Sequence, residues 1–224
     1  NIKIGVILQG AETPFMKEVL KGIQEACAEV DNLGGTVLVH KIEHQNAEDV
    51  ILAMEKMRME EVSGIAMVPL DEERVKREID RFVEEFRIPV VTFTSDVEDT
   101  KRLCFVGQNG VQCGRAAAGL MGELTGGKGK VAVISGYSTN TSLSSRVVGF
   151  REEIARKYPG IEIIGPEYCF EENGRAREIT EGIFKDVPDL DGIYLTSHGE
   201  EGVCEAIAGA GKAGRVKMVA NDFM

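Results

Sequence analysis

Arg102-Leu103-Cys104-Phe105-Val106-Gly107-Gln108-Asn109-Gly110, continuing as Val111-Gln112-Cys113-Gly114-Arg115-Ala116-Ala117-Ala118-Gly119-Leu120-Met121, divides the chain in two. A short apolar run ends at Gly107, a polar turn follows, and a segment rich in small residues begins. Before this stretch the pattern reads strand–helix–strand–helix–strand–helix–strand, and after it the same alternation restarts. Short apolar runs alternating with amphipathic segments indicate buried parallel strands joined by helical crossovers. The expected fold is therefore α/β: two Rossmann-like lobes with parallel sheets, residues 1–106 and 107–224. A cleft between two like lobes is the expected seat of function.

Within the first lobe, strands are expected at Ile2–Leu8, Thr36–Ile42, Gly64–Val68 and Ile88–Phe93, with Leu103–Val106 as the crossing strand. Thr13 can cap the first helix and Pro14 suits its first turn. A helix over Ala47–Glu60 carries Val50, Ile51, Met54 and Met57 on one face, and Glu72–Phe86 reads as a charged amphipathic helix with a solvated outer face. In the second lobe a helix runs from Val111 to Leu124, and Ser144 or Ser145 opens another that ends at Lys157. Strands are expected at Lys130–Ser135, Ile161–Pro166, Gly192–Thr196 and Val216–Val219, with helices at Arg175–Phe184 and Gly202–Ala210.

A chain of 224 residues with 43% hydrophobic and 28% charged content can bury its own core without staples. The net charge of −11 argues against this segment gripping a phosphate backbone itself. Five cysteines, Cys27, Cys104, Cys113, Cys169 and Cys204, are scattered and form no CxxC pair, so buried reduced thiols and a cytoplasmic location are expected. No apolar run is long enough to span a membrane. Both ends fall against strands, which suggests that chain precedes Asn1 and follows Met224.

In parallel α/β sheets, ligands bind beyond the carboxyl ends of the strands. The candidate ligand residues are thus Thr13, Phe15, Thr94, Ser95, Asp96, Tyr137, Asn140, Arg146, Phe170, His198 and Asp222; Glu12, Gln45, Asp71 and Ser197 also stand at strand exits. The plain alternative for each is a turn-former. A polar set with a few aromatics suits a small polar ligand that has one apolar face. Gly126-Gly127-Lys128-Gly129-Lys130 leads into a strand and is followed by no Ser or Thr, so it is no phosphate loop. His40, His44 and His198 lack metal-ligand spacing, and no nucleophile elbow surrounds Ser144. Neither a metal, a cofactor nor an enzyme activity is expected.

Four features resemble the ligand domain of the LacI/GalR transcription regulators, whose type I periplasmic-binding-protein-like fold also serves ribose-type binding proteins. They are Thr13-Pro14-Phe15-Met16 after the first strand, Ile88-Pro89-Val90-Val91-Thr92-Phe93, Val106-Gly107-Gln108-Asn109 with Gly114-Arg115-Ala116-Ala117, and Arg146-Val147-Val148-Gly149-Phe150. The resemblance implies that Phe15 and Phe170 cover the faces of a ligand, Arg146 donates to its hydroxyls or to a carboxylate, and Asp222 accepts from hydroxyls. It also implies a return segment after Met224, absent from this sequence. Three departures thin the family's charged set: Thr94-Ser95 replaces Asp-Arg, His198-Gly199 replaces Asn-Asp, and Gln108 replaces Asp.

The resemblance implies the effector-sensing and dimerising domain of a regulator that binds a small polar ligand, favouring a saccharide. DNA would be read only by a helix-turn-helix preceding this chain, and the helices Ala47–Glu60 and Glu72–Phe86 are the expected homodimer surface. The alternative is an exported sugar-binding protein of an ABC transporter. No partner in a membrane is expected for the first reading.

Overall fold

A computed structural model describes residues 2–10, 14–42 and 46–221. The chain divides into two compact units, residues 1–107 and 108–224. Unit 1 carries β1 (Lys3–Gln9), α1 (Pro14–Asn32), β2 (Thr36–Ile42), α2 (Ala47–Met59), β3 (Gly64–Met67), α3 (Glu73–Glu84), β4 (Val90–Phe93) and β5 (Cys104–Val106). Its five strands lie in the order β2-β1-β3-β4-β5, and every pairing is parallel. The crossing strand therefore belongs to the first unit, because β5 pairs with β4 through Val91 and Cys104.

Period-two alternation assigns the two faces of this sheet. Ile7, Ile65, Met67 and Val90 pack with Met54 and Met57 of α2 and Ile79 and Phe82 of α3. Val6, Leu8 and Val68 pack against Met16 with Val19, Leu20 and Ile23 of α1. Met54 and Met57 of α2 are core, as their spacing implies, whereas Met59 at its end is exposed. Asn46 caps that helix by accepting from the Asp49 amide at 2.9 Å. The charged face of α3 is not wholly solvated: Glu78 is buried, and burial pushes its carboxyl above the usual range even though Arg81 bonds it at 3.0 Å.

Unit 2 carries α4 (Gly110–Thr125), β6 (Lys128–Ser135), α5 (Thr141–Lys157), β7 (Gly160–Tyr168), α6 (Asn173–Asp186), β8 (Gly192–Leu195), α7 (Glu200–Gly209) and β9 (Lys217–Ala220). The strand order is β7-β6-β8-β9, again parallel throughout. Val131 and Val133 face α4 and α5, while Ala132 and Ile134 face α6 and α7. Gly126, left-handed at φ 67°, ends α4 and leads into β6. That Gly-rich turn leads into a strand, not a helix.

Helix α5 starts at Thr141, earlier than the expected Ser144 or Ser145. The reason is Asn140, which caps it by accepting from the Leu143 amide at 3.3 Å. Cysteine burial also differs from expectation. Cys169 is buried, but Cys27 and Cys113 are half-buried and Cys104 and Cys204 are exposed; all five are free. Cys104 lies on β5, which among the described residues is an edge strand with a sheet neighbour on one flank.

Small residues set the approach of α4 to α5. A Cβ on Gly114 would overlap the Arg146 carbonyl, and one on Gly149 would overlap the Val111 carbonyl. Gly149 and Phe150 sit three and four residues after Arg146, so the three share one side of α5. Gly149 admits α4, and Phe150 stacks on Tyr194 with ring centroids 4.4 Å apart. We expect Gly149→Ala to destabilise the protein by about 1–3 kcal/mol through overpacking. Gly119→Ala, whose added carbon meets nothing within 4 Å, should be neutral or stabilising by up to about 1 kcal/mol. Urea unfolding of the two variants checks both.

Candidate functional site

In each unit, polar residues that the sequence singles out stand beyond the ends of strands. In unit 1, Thr94 follows β4 in the left-handed region at φ 60°, an uncommon conformation for a β-branched residue. Its amide donates to the Val106 carbonyl at 3.1 Å. Ser95 is buried, and its amide donates to the Phe93 carbonyl at 2.7 Å.

Asp96 accepts from Thr92 Oγ1 at 2.6 Å, and from Arg102 Nε and Nη2 at 2.5 Å each. This two-pronged pair holds the Arg102 guanidinium above its ordinary range. Asp96 thus ties the β4 exit to the start of the crossing stretch within unit 1. Phe15, on the first turn of α1, is half-exposed, consistent with an apolar face open to a ligand. Thr13 and Asp222, and also Glu12, His44 and Gln45, lie outside the described residues.

In unit 2 the exits of β6, β7 and β8 interlock. The Cys169 amide donates to the Ser135 carbonyl at 2.8 Å, and the Phe170 amide to the Gly136 carbonyl at 3.2 Å. Ser135 Oγ and Thr196 Oγ1 lie 2.8 Å apart, both buried. Phe170 and Glu171 are left-handed at φ 55° and 60°. This turn projects the half-exposed Phe170 ring to 5.6 Å from Tyr137, at an interplanar angle of 59°. Burial, and then Glu171 and Glu172, raise the Tyr137 phenol above its usual range. Burial likewise pushes the Cys169 thiol up.

Arg146 reaches from α5 to the end of β8. Its Nη1 donates to the Thr196 carbonyl at 2.5 Å and its Nη2 to Gln108 Oε1 at 3.2 Å. The residue is 6% exposed, and Nε is buried with no partner among the described residues. Ser197 Oγ, on a residue 1% exposed, is likewise buried and has no partner among them. His198 Nδ1 lies 3.0 Å from Glu200 Oε2, which also accepts from the Gly199 amide at 3.1 Å. Asn140 has its side-chain oxygen engaged at the α5 cap.

Two residues gain prominence that the candidate set lacks. Gln108 stands out in the sequence only as a departure from the family pattern, yet it is a partner of Arg146. Gln9 closes β1 with Nε2 donating to the Val68 carbonyl at 2.6 Å, while its buried Oε1 has no partner among the described residues. A polar residue ending an apolar strand run was the available signal. Among the described residues no group of three or more His, Cys, Asp and Glu could hold a metal ion. A groove of 660 Å³ lies away from the strand exits, between mutually paired charges of α4 and α5 such as Arg115 and Glu152.

A family model described as a periplasmic binding protein domain matches residues 4–224. The chain belongs to this family. It is 24% identical over 227 residues to the D-allose-binding periplasmic protein of Escherichia coli (strain K12), covering 97% of this chain and 71% of that one. It is 21% identical over 212 residues to the ribose import binding protein RbsB of Bacillus subtilis (strain 168), covering 93% and 66%. Among solved structures, the glucose-galactose binding protein GanP from Geobacillus stearothermophilus matches with a TM-score of 0.88 and 25% identity, covering 98% of this chain and 77% of that one.

The type I two-lobed α/β fold follows. The resemblance to LacI/GalR regulators narrows to what they share with these proteins, since none of the three relatives named is a regulator. For the site itself, we expect Arg102→Gln to lower unfolding stability by about 1–3 kcal/mol, because it removes a two-pronged charge-assisted pair. Chemical denaturation measures this, and an unchanged midpoint would mean that the pair contributes nothing.

Proposed function

We propose that the protein binds a small saccharide at the carboxyl ends of its strands and serves as the solute-binding protein of a sugar transporter. The observation that carries the reading is the sugar named for each relative, allose, ribose, and glucose or galactose. The strand exits supply suitable chemistry. Phe170 and Tyr137 offer apolar ring surface for the faces of a pyranose or furanose, and Arg146 offers donors to its hydroxyls. On this reading the protein binds without turnover and works outside the cytoplasm. That order reverses the expectation from sequence, which set a cytoplasmic DNA-binding regulator first.

One observation favours the regulator as a second reading. All five cysteines are unpaired, and Cys104 and Cys204 are exposed, which suits a reducing compartment. The two readings separate by assembly. A solute-binding protein works alone, whereas a regulator of this kind pairs, with the outer faces of α2 and α3 as the proposed contact. Sedimentation of the protein at micromolar concentration should show a monomer; a dimer would favour the regulator.

Isothermal titration with D-allose, D-ribose, D-galactose and D-arabinose should find at least one that binds. Phe170→Ala should weaken that binding by about 1–2 kcal/mol through lost ring contact. Arg146→Lys should weaken it by about 1–3 kcal/mol through lost charge-assisted bonds, with thermal unfolding as the control for a buried residue. Unchanged affinity in both variants would remove these residues from the site.

A further inference from the structure

We propose that the preferred ligand is a sugar acid, a monosaccharide whose carboxylate seats on Arg146. This deepens the saccharide reading and rests on it. Arginine stays ionised in proteins, and a buried ion needs a counter-charge or a full set of hydrogen bonds. Arg146 has neither. It is 6% exposed, and both of its partners are neutral: the Thr196 main-chain carbonyl and the Gln108 side-chain amide. Those two bonds leave three of the five guanidinium N–H donors unused, Nε–H among them, and Nε is buried. An unused Nε–H beside a free η proton is one edge of the fork that fits the two oxygens of a carboxylate.

Glu200, the acidic residue nearest to Thr196 in the chain, does not supply the balance: its Oε2 serves His198 Nδ1 and the Gly199 amide, its Oε1 is buried with no partner among the described residues, and it forms no ion pair with Arg146. The side chain that Arg146 meets besides the Thr196 carbonyl is Gln108, a neutral amide. An Asp at that position would neutralise a guanidinium and leave a site suited to uncharged sugars. Glutamine keeps a hydrogen bond and withdraws the charge. Ser197 Oγ, on a residue next to Thr196, is buried with no partner among the described residues and gives a hydroxyl for the same ligand. The net charge of −11 acts over longer range and is screened by salt, so it slows encounter with an anion more than it alters a buried contact.

Calorimetric titration with D-galacturonate, D-glucuronate and D-gluconate, set against D-galactose, D-glucose and D-allose, tests this. At least one acid should bind about tenfold or more tightly than its neutral counterpart, as a charge-assisted pair replaces a neutral bond. Gln108→Asp should reverse that preference, and in the ligand-free protein it should raise the thermal unfolding midpoint by giving Arg146 a counter-ion. A neutral sugar binding as tightly as every acid overturns the inference and leaves the saccharide reading standing. So does a Gln108→Asp variant with the acid-to-neutral ratio unchanged. Failure of all six sugars to bind overturns the saccharide reading and takes the inference with it.

Discussion

A parallel strand pair cannot be closed by a tight turn, and the architecture follows from that constraint. Each strand must be followed by a crossover long enough to return the chain to the same end of the sheet, so helices cover both faces. All strand exits then gather at one edge of the sheet. In unit 2 that edge places the ends of β6, β7 and β8 within hydrogen-bonding distance of one another, through Ser135, Gly136, Cys169 and Thr196. The polar residues there are brought together by topology, not by proximity in sequence.

What distinguishes this edge is incomplete satisfaction. The interior of each unit is apolar and alternates regularly between the two faces of its sheet. At the exits, by contrast, Gln9 in unit 1 and Arg146, Ser197 and Glu200 in unit 2 each keep a buried polar atom with no partner among the described residues. Buried polar groups are costly when unpaired. Thr94 in unit 1 and Phe170 and Glu171 in unit 2 also hold left-handed backbone that non-glycine residues seldom adopt, as do Glu61, Arg87 and Asp99 elsewhere. The interlocking of α4 with α5 gives Arg146 a fixed base, since the close approach at Gly114 and Gly149 leaves α5 little room to shift.

The fold was legible because its signals are local and repeated. The unbroken apolar run Val6-Ile7-Leu8 announces a strand covered on both faces, as its packing shows. Boundaries were less legible where capping decides them: Thr141 to Ser145 reads as a polar turn until Asn140 is seen to close the first turn of α5. Thiol burial was misjudged because an apolar strand says nothing about whether it lies at the edge of its sheet, as Cys104 does. At the site, exit positions could be read, but partners could not. That Asp96 is bound to Arg102, and that Arg146 leans on Gln108, are facts of three-dimensional placement.

The turn that opens α4 has a further consequence, for the chemical durability of the chain. Asn109-Gly110 is the dipeptide in which a side-chain amide most readily cyclises onto the following backbone nitrogen, losing ammonia and leaving aspartate or a backbone lengthened by one carbon. Here Asn109 is the cap: its Oδ1 accepts from the Gln112 amide at 3.0 Å, and its carbonyl accepts from the Cys113 amide at 3.0 Å. Gly110, already in the helix, has its nitrogen held away from the geometry that ring closure needs. The same bond that starts the helix therefore slows ageing at the junction of the two units, and partial unfolding of the first turn of α4 would set that clock running.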